Sequence, residues 1–152
     1  MVGLINKAQS ECLNQSDDHT WEHCLNSAGS IYLESDVDEQ LLLHITFQQA
    51  IKLHSIIIQG PTGLYFVIFF SLTCLFIFID FNYQDNGPKD VKLFINQTRT
   101  LDFDSAENFQ PIQALELKPE DLTNNSVIKL RYVKFQNVQN LTVIFNFIYR
   151  LF

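Results

Sequence analysis

Short β-prone runs follow one another along the chain, each bounded by polar turn residues. No long stretch carries the 3.6-residue apolar period of an amphipathic helix. LLLHITF (41–47) and IKLHSIII (51–58) are rich in aliphatic and β-branched residues, and the QQA between them predicts a hairpin. VKLFIN (91–96) follows the turn-forming DNGP (85–88). VIKLRYVKF (127–135) alternates, with Ile128, Leu130 and Tyr132 on one face and Lys129 and Arg131 on the other. LTVIF (141–145) comes after the polar NVQN, while KPEDL (118–122) and the stretch from Asp102 to Glu107 read as turns or single helical turns. These elements predict an all-β fold, an antiparallel jelly-roll-like β-sandwich. A chain of 152 residues is one domain's worth and buries a core of its own.

One stretch breaks the pattern. TGLYFVIFFSLTCLFIFIDF (62–81) holds no ionisable side chain before Asp80 except Tyr65 and Cys74, and six of the 14 Phe fall between residues 63 and 84. As a membrane span, Leu64–Ile79 falls just short of the roughly 20 residues a bilayer requires. Its flanks, Lys52 on one side and Asp80 and Asp85 on the other, specify orientation weakly. A crossing here would also put strands of one sandwich on opposite sides of the membrane, where they could not pair. A helix is the shape expected of such a run, because it satisfies its own backbone hydrogen bonds. Three readings compete: a membrane-tethered variant using residues 64–79, a partner-grasping loop, and translated non-coding sequence. The last is favoured by a composition that T-rich codons encode and by a terminal Tyr-Gln compatible with a splice acceptor. The final NFIYRLF has the same flavour.

Charge narrows the partners. The net charge is −7 and no Lys/Arg cluster stands out, so the electrostatic term that drives nucleic-acid binding is missing. An anionic membrane surface is disfavoured for the same reason, whereas a basic face on a protein partner fits. The N-terminus has no cationic segment followed by an apolar core, and the three cysteines form no CxxC pair, so reduced thiols in a cytosolic compartment are expected. Four N-x-S/T sequons begin at Asn14, Asn96, Asn124 and Asn140, on both sides of the apolar run, and read as chance.

Chemistry-bearing clusters are few. ESDVDEQLL (34–42) gathers Glu34, Asp36, Asp38 and Glu39 before a strand, without the glycine turn and terminal glutamate of an EF-hand loop. It reads as a solvated acidic turn whose functional version is a docking surface for a basic partner. Cys12, His19, His23 and Cys24 suggest zinc, but the adjacent His23 and Cys24 would strain a shared tetrahedral ion, so no metal is assigned. Trp21 reads as a core plug or a lid. No G-x-S-x-G accompanies His44 or His54, and the five glycines are scattered, so no nucleophile or phosphate loop emerges and neither an enzyme nor a cofactor is expected.

Several blocks in order, LINKAQSECLNQSDDH (4–19), YLESDVDEQLL (32–42), KLHS (52–55), GPKDVKLFIN (87–96) and LRYVKFQNVQNLTVIF (130–145), resemble the PITH domain family. The resemblance implies a jelly-roll-like sandwich acting as a non-catalytic adaptor that binds the proteasome regulatory particle in cytoplasm and nucleus. Its candidate partner surfaces here are Glu34, Asp36, Asp38 and Glu39 in the acidic turn, and Lys134, Phe135 and Asn137 around a strand. A small-ligand or glycan-binding sandwich is the alternative, because related jelly rolls bind sugars at loop ends. Family members with a thioredoxin domain carry it ahead of this module. This chain starts at Met1 just before the PITH block, so thiol reductase activity does not carry over. Removing Gly63–Gln84 joins IIIQGPT to DNGPKDVKLFIN and restores the family spacing, which marks residues 63–84 as an insertion. The family continues past TVIF with a further strand, so a C-terminally shortened sandwich with an exposed edge is expected.

Overall fold

A computed structural model describes residues 2–23, 33–37, 39–59, 74–78, 88–122 and 126–147. The strands are β1 (Glu11–Leu13), β2 (Gln40–Ile51), β3 (Ser55–Gln59), β4 (Cys74–Phe78), β5 (Pro88–Ile95), β6 (Gln113–Glu116), β7 (Ile128–Lys129) and β8 (Val138–Phe147). One short helix, α1 (Phe103–Asn108), lies between β5 and β6. Five strands form a wholly antiparallel sheet in the order β1-β2-β8-β5-β6, and three form a second sheet in the order β4-β3-β7. The fold is all-β, as the alternating runs predict.

The larger sheet buries both faces near its centre. Leu41, Leu43 and Ile45 of β2 join Val91 and Leu93 of β5, Leu141, Val143 and Phe145 of β8, and Ile56 and Ile58 of β3 in the main core. On the opposite face Leu42, Phe94 and Ile144 pack under Leu101 and Ala106, which α1 and its approach bring down onto the sheet. This second layer explains why LLLHI is buried continuously instead of alternating with exposed residues: Leu41 to Ile45 are all buried, three inward and two outward. Asp102 starts α1 by accepting a 2.7 Å hydrogen bond from Ser105 N, the capping geometry that Asp favours. Trp21 is buried in the main core, a plug and not a lid.

Three local expectations are corrected. The QQA hairpin does not form: β2 runs on through Gln48, Gln49 and Ala50 to Ile51, its register with β8 shifting between Thr46 and Ile51. None of these three residues adopts positive φ as cheaply as the Gly or Asn of tight hairpins, so the chain bulges and then crosses to the other sheet. VIKLRYVKF keeps strand geometry only at Ile128–Lys129, after which Tyr132–Phe135 wind into a 3-10 turn. The apolar run, expected to be helical, is a strand where it is described: Cys74–Phe78 pairs parallel to β3, from Ser55↔Cys74 to Gln59↔Phe78. Pairing with the open edge of β3 satisfies one row of the segment's backbone groups, which makes a strand an alternative to a helix. The rest of the insertion, residues 63–73 and 79–84, lies outside the described residues. Asn146 and Phe147, the start of the terminal NFIYRLF, supply the last rungs of β8 opposite Gln40, Asp90 and Pro88.

Candidate functional site

Two asparagines in left-handed conformation shape the loop ends. Asn14 (φ 62) leaves β1 and holds the acidic turn from three sides. Its main-chain oxygen accepts from Asp36 N at 3.0 Å, its Oδ1 from Val37 N at 3.3 Å, and its Nδ2 donates to Gln40 O at 2.7 Å. Asn is one of the few non-glycine residues that tolerate this backbone region. The turn so pinned exposes Asp36, Val37 and Glu39, while Glu34 is half-buried with its carboxylate 4.0 Å from His19 Nε2. Asp38 lies outside the described residues.

The second predicted surface divides. Lys134 and Asn137 are exposed, but Phe135 is fully buried in the main core, so its side chain serves packing and reaches no partner. The 3-10 turn is the reason: it rotates Phe135 inward and presents Tyr132 (40 % exposed) and Val133 (88 % exposed) outward. Tyr132 was expected beside Ile128 and Leu130 on the apolar face of a strand. Its ring lies against His54 instead, centroids 5.4 Å apart. Reading the segment as one strand missed Tyr132 and Val133. The signal available was the crowding of Lys129, Arg131 and Lys134 around them, which no core-facing strand tolerates on both faces.

The groups with catalytic potential sit in quiet surroundings. Burial, and secondarily the charge of Glu11, push the Cys12 thiol up to about 12, so it stays protonated at neutral pH and is a poor nucleophile or metal ligand. The His19 and His23 rings meet edge to face at 6.5 Å. Cys24, the remaining member of the zinc quartet, lies outside the described residues, among which no three His, Cys, Asp or Glu side chains cluster for a metal ion. His44 is buried between two threonines, with Nδ1 2.8 Å from Thr142 Oγ1 and Nε2 3.3 Å from Thr46 Oγ1. Because the Thr46 hydroxyl donates to Gln9 O at 2.9 Å, it accepts from Nε2–H, and Nδ1 accepts from Thr142: a neutral imidazole in a structural bridge. A cleft between α1 and the sheet, lined by Gln40, Lys92, Phe103, Glu107, Ile144 and Asn146 among others, has a volume of about 30 Å³. That suits a water, far below the several hundred Å³ of a small-molecule site. Among the described residues, no helix is long and apolar enough to cross a membrane.

The loop ends therefore offer two exposed surfaces built by turns, the acidic one at Asn14 and the one around Tyr132. The order of blocks that carries them matches the PITH domain profile over residues 1–148. The chain belongs to the PITH domain family. It is 40 % identical over 144 residues to thioredoxin-like protein 1 of Schizosaccharomyces pombe, covering 94 % of this chain and 43 % of that protein. It is 27 % identical to PITH domain-containing protein 1 of Homo sapiens, covering 91 % of this chain and 57 % of that protein. A PITH domain-containing protein of Drosophila melanogaster is 30 % identical over 89 % of this chain and 55 % of its own length. The PITH chain thus spans about half the length of the curated relatives it matches.

Proposed function

We propose that this PITH chain is a non-catalytic adaptor that docks onto the proteasome regulatory particle in the cytoplasm and nucleus. The observation that carries the reading is the family match over residues 1–148, which takes in both exposed loop-end surfaces. An adaptor requires a rigid frame and projecting side chains. The sandwich supplies the first, and Asp36, Glu39, Lys134 and Asn137, with Asp38 between the first two in sequence, are the side chains we assign to the second.

The testing experiment is capture of purified regulatory particle by the immobilised full chain, with a charge-matched unrelated domain as control. Retention above the control at moderate salt is the expected result. Equal retention by the two removes the partner assignment.

A further inference from the structure

The 3-10 turn presents more than apolar surface. Arg131 and Lys134 are exposed on it, Lys129 on the adjoining β7, and Lys52 on the segment linking β2 to β3. Backbone pairing ties these stretches into one surface: Leu53 N donates to Phe135 O at 2.9 Å, Leu130 N donates to His54 O at 3.0 Å, and Ser55 is the register partner of Lys129. Four of the ten Lys and Arg residues of an acidic chain thus share one neighbourhood. Among the described residues none of the four forms an ion pair, whereas Lys7 and Lys89 each reach a glutamate. Inside this cationic frame stand Val133, Tyr132 and, two residues before Lys129, Val127 at 51 % exposure. Unpaired cations keep their attraction for an outside anion, and several together raise the local potential against the chain's overall negative field. Exposed apolar side chains ringed by charge are the composition of a docking patch.

We propose that this face, formed by Lys52, Lys129, Arg131 and Lys134 around Tyr132 and Val133, binds an acidic segment of a protein partner through an apolar anchor residue. The anchor packs on Val133 and the Tyr132 ring while flanking carboxylates meet the cations. A short acidic peptide fits better than a nucleic acid, because a long polyanion would meet the field of the whole chain, net −7. The proposal rests on the adaptor reading, deepening it by naming the surface and the chemistry of the partner segment. It does not depend on which assembly supplies that segment.

The test is fluorescence anisotropy with the full chain and a labelled peptide of roughly twelve residues, Asp and Glu flanking a Leu-Phe pair. Saturable binding that weakens with added salt is expected. Arg131→Glu with Lys134→Glu weakens it at least about tenfold, and Val133→Ser by about fivefold, while Asp17→Asn with Asp18→Asn, exposed and outside both surfaces, leaves it unchanged. All these positions are exposed, and circular dichroism checks that each variant is folded. No saturable binding by the parent chain overturns the proposal, as does equal affinity in the Arg131/Lys134 variant or tighter binding of a single-stranded oligonucleotide. Capture of purified regulatory particle separates the two readings. Peptide binding without capture removes that partner and keeps the face; capture that the Arg131/Lys134 variant does not reduce removes the face and keeps the partner.

Discussion

Replacing Phe135 by Ala tests whether the 3-10 turn is anchored as described. The phenyl ring is fully buried in the main core, and the main-chain oxygen that accepts from Leu53 N survives the substitution. Removing the ring forfeits about 120 Å² of buried apolar surface, which at about 25 cal/mol per Å² amounts to ~3 kcal/mol. If half the ring volume stays open, a cavity of about 40 Å³ adds ~1 kcal/mol at about 24 cal/mol per Å³. The expected loss is therefore ~4 kcal/mol, inside the range of roughly 3–5 kcal/mol known for Phe→Ala in cores. Urea unfolding followed by tryptophan fluorescence measures it, since Trp21 lies in the same core. With a slope of about 2 kcal/mol per M, the midpoint falls by about 2 M at constant slope. Lys134→Ala, one residue away and exposed, shifts stability by no more than about 0.5 kcal/mol. A Phe135→Ala loss below about 1 kcal/mol with unchanged slope would refute the inward rotation of the turn and return Phe135 to the surface.

The His44 pKa is held below its ordinary value by burial, against an opposing pull from Glu11. The unfolded chain takes up that proton near pH 6.5 before the folded one does, so stability present above pH 6.5 is lost as pH falls toward the folded pKa. His44→Gln flattens this arm, by at most about 1.4 kcal/mol per pH unit for one proton, and equal slopes in the two proteins would refute it. Asn140 Oδ1 accepts from Gln97 N at 2.8 Å and its Nδ2 donates to Gln97 O at 3.0 Å. Asn140→Ala therefore costs ~1–3 kcal/mol in thermal or denaturant unfolding, and an unchanged midpoint would show the two bonds to be idle. Deleting residues 63–84 removes the edge strand β4 and leaves a connection of ordinary length for a β fold. If the segment is translated non-coding sequence, the deletion variant is at least as stable and mature transcripts lack those codons; a loss above about 2 kcal/mol, or transcripts that all retain them, ends that reading.

Much of the fold was legible because burial leaves a pattern in sequence. Leu141 to Phe145 read as a strand and form the centre of β8, and Val91 to Ile95 read as a strand and form most of β5. What failed to show were decisions made by tertiary context. Whether QQA turns or bulges depends on Ile51 finding Val138 across the sheet, and β2 keeps that rung by shifting register. Whether YVKF continues a strand depends on the pull of the core on Phe135, which is stronger than local alternation. The acidic turn is visible as composition, but the residue that shapes it, Asn14, sits 20 residues earlier than Glu34, and its only sequence signal is the sequon it begins. Asn96 repeats the device, donating to Asn137 O and accepting from Gln139 N, both at 2.8 Å. In three of the four sequons the asparagine amide thus holds a loop through its own hydrogen bonds.

The apolar insertion is constrained most tightly by the strands it joins. It connects β3 to β5, which lie in different sheets, yet Ile56 and Ile58 of β3 share one core with Val91 and Leu93 of β5. A single membrane crossing between them would place the two halves of that core on opposite sides of a bilayer, at the cost of every contact between them. The pairing seen instead adds Cys74–Phe78 to the edge of β3 opposite β7, so the segment extends the small sheet without parting the large one. Both strands of that pair run in the same direction, which demands a crossover connection longer than a hairpin, and residues 60–73 provide that length. An edge is where a sheet accepts a new strand at least cost, because no existing ladder has to break. Cys74–Phe78, the described part of the insertion, also lies on the far side of β3 from β7, the strand that carries Lys129.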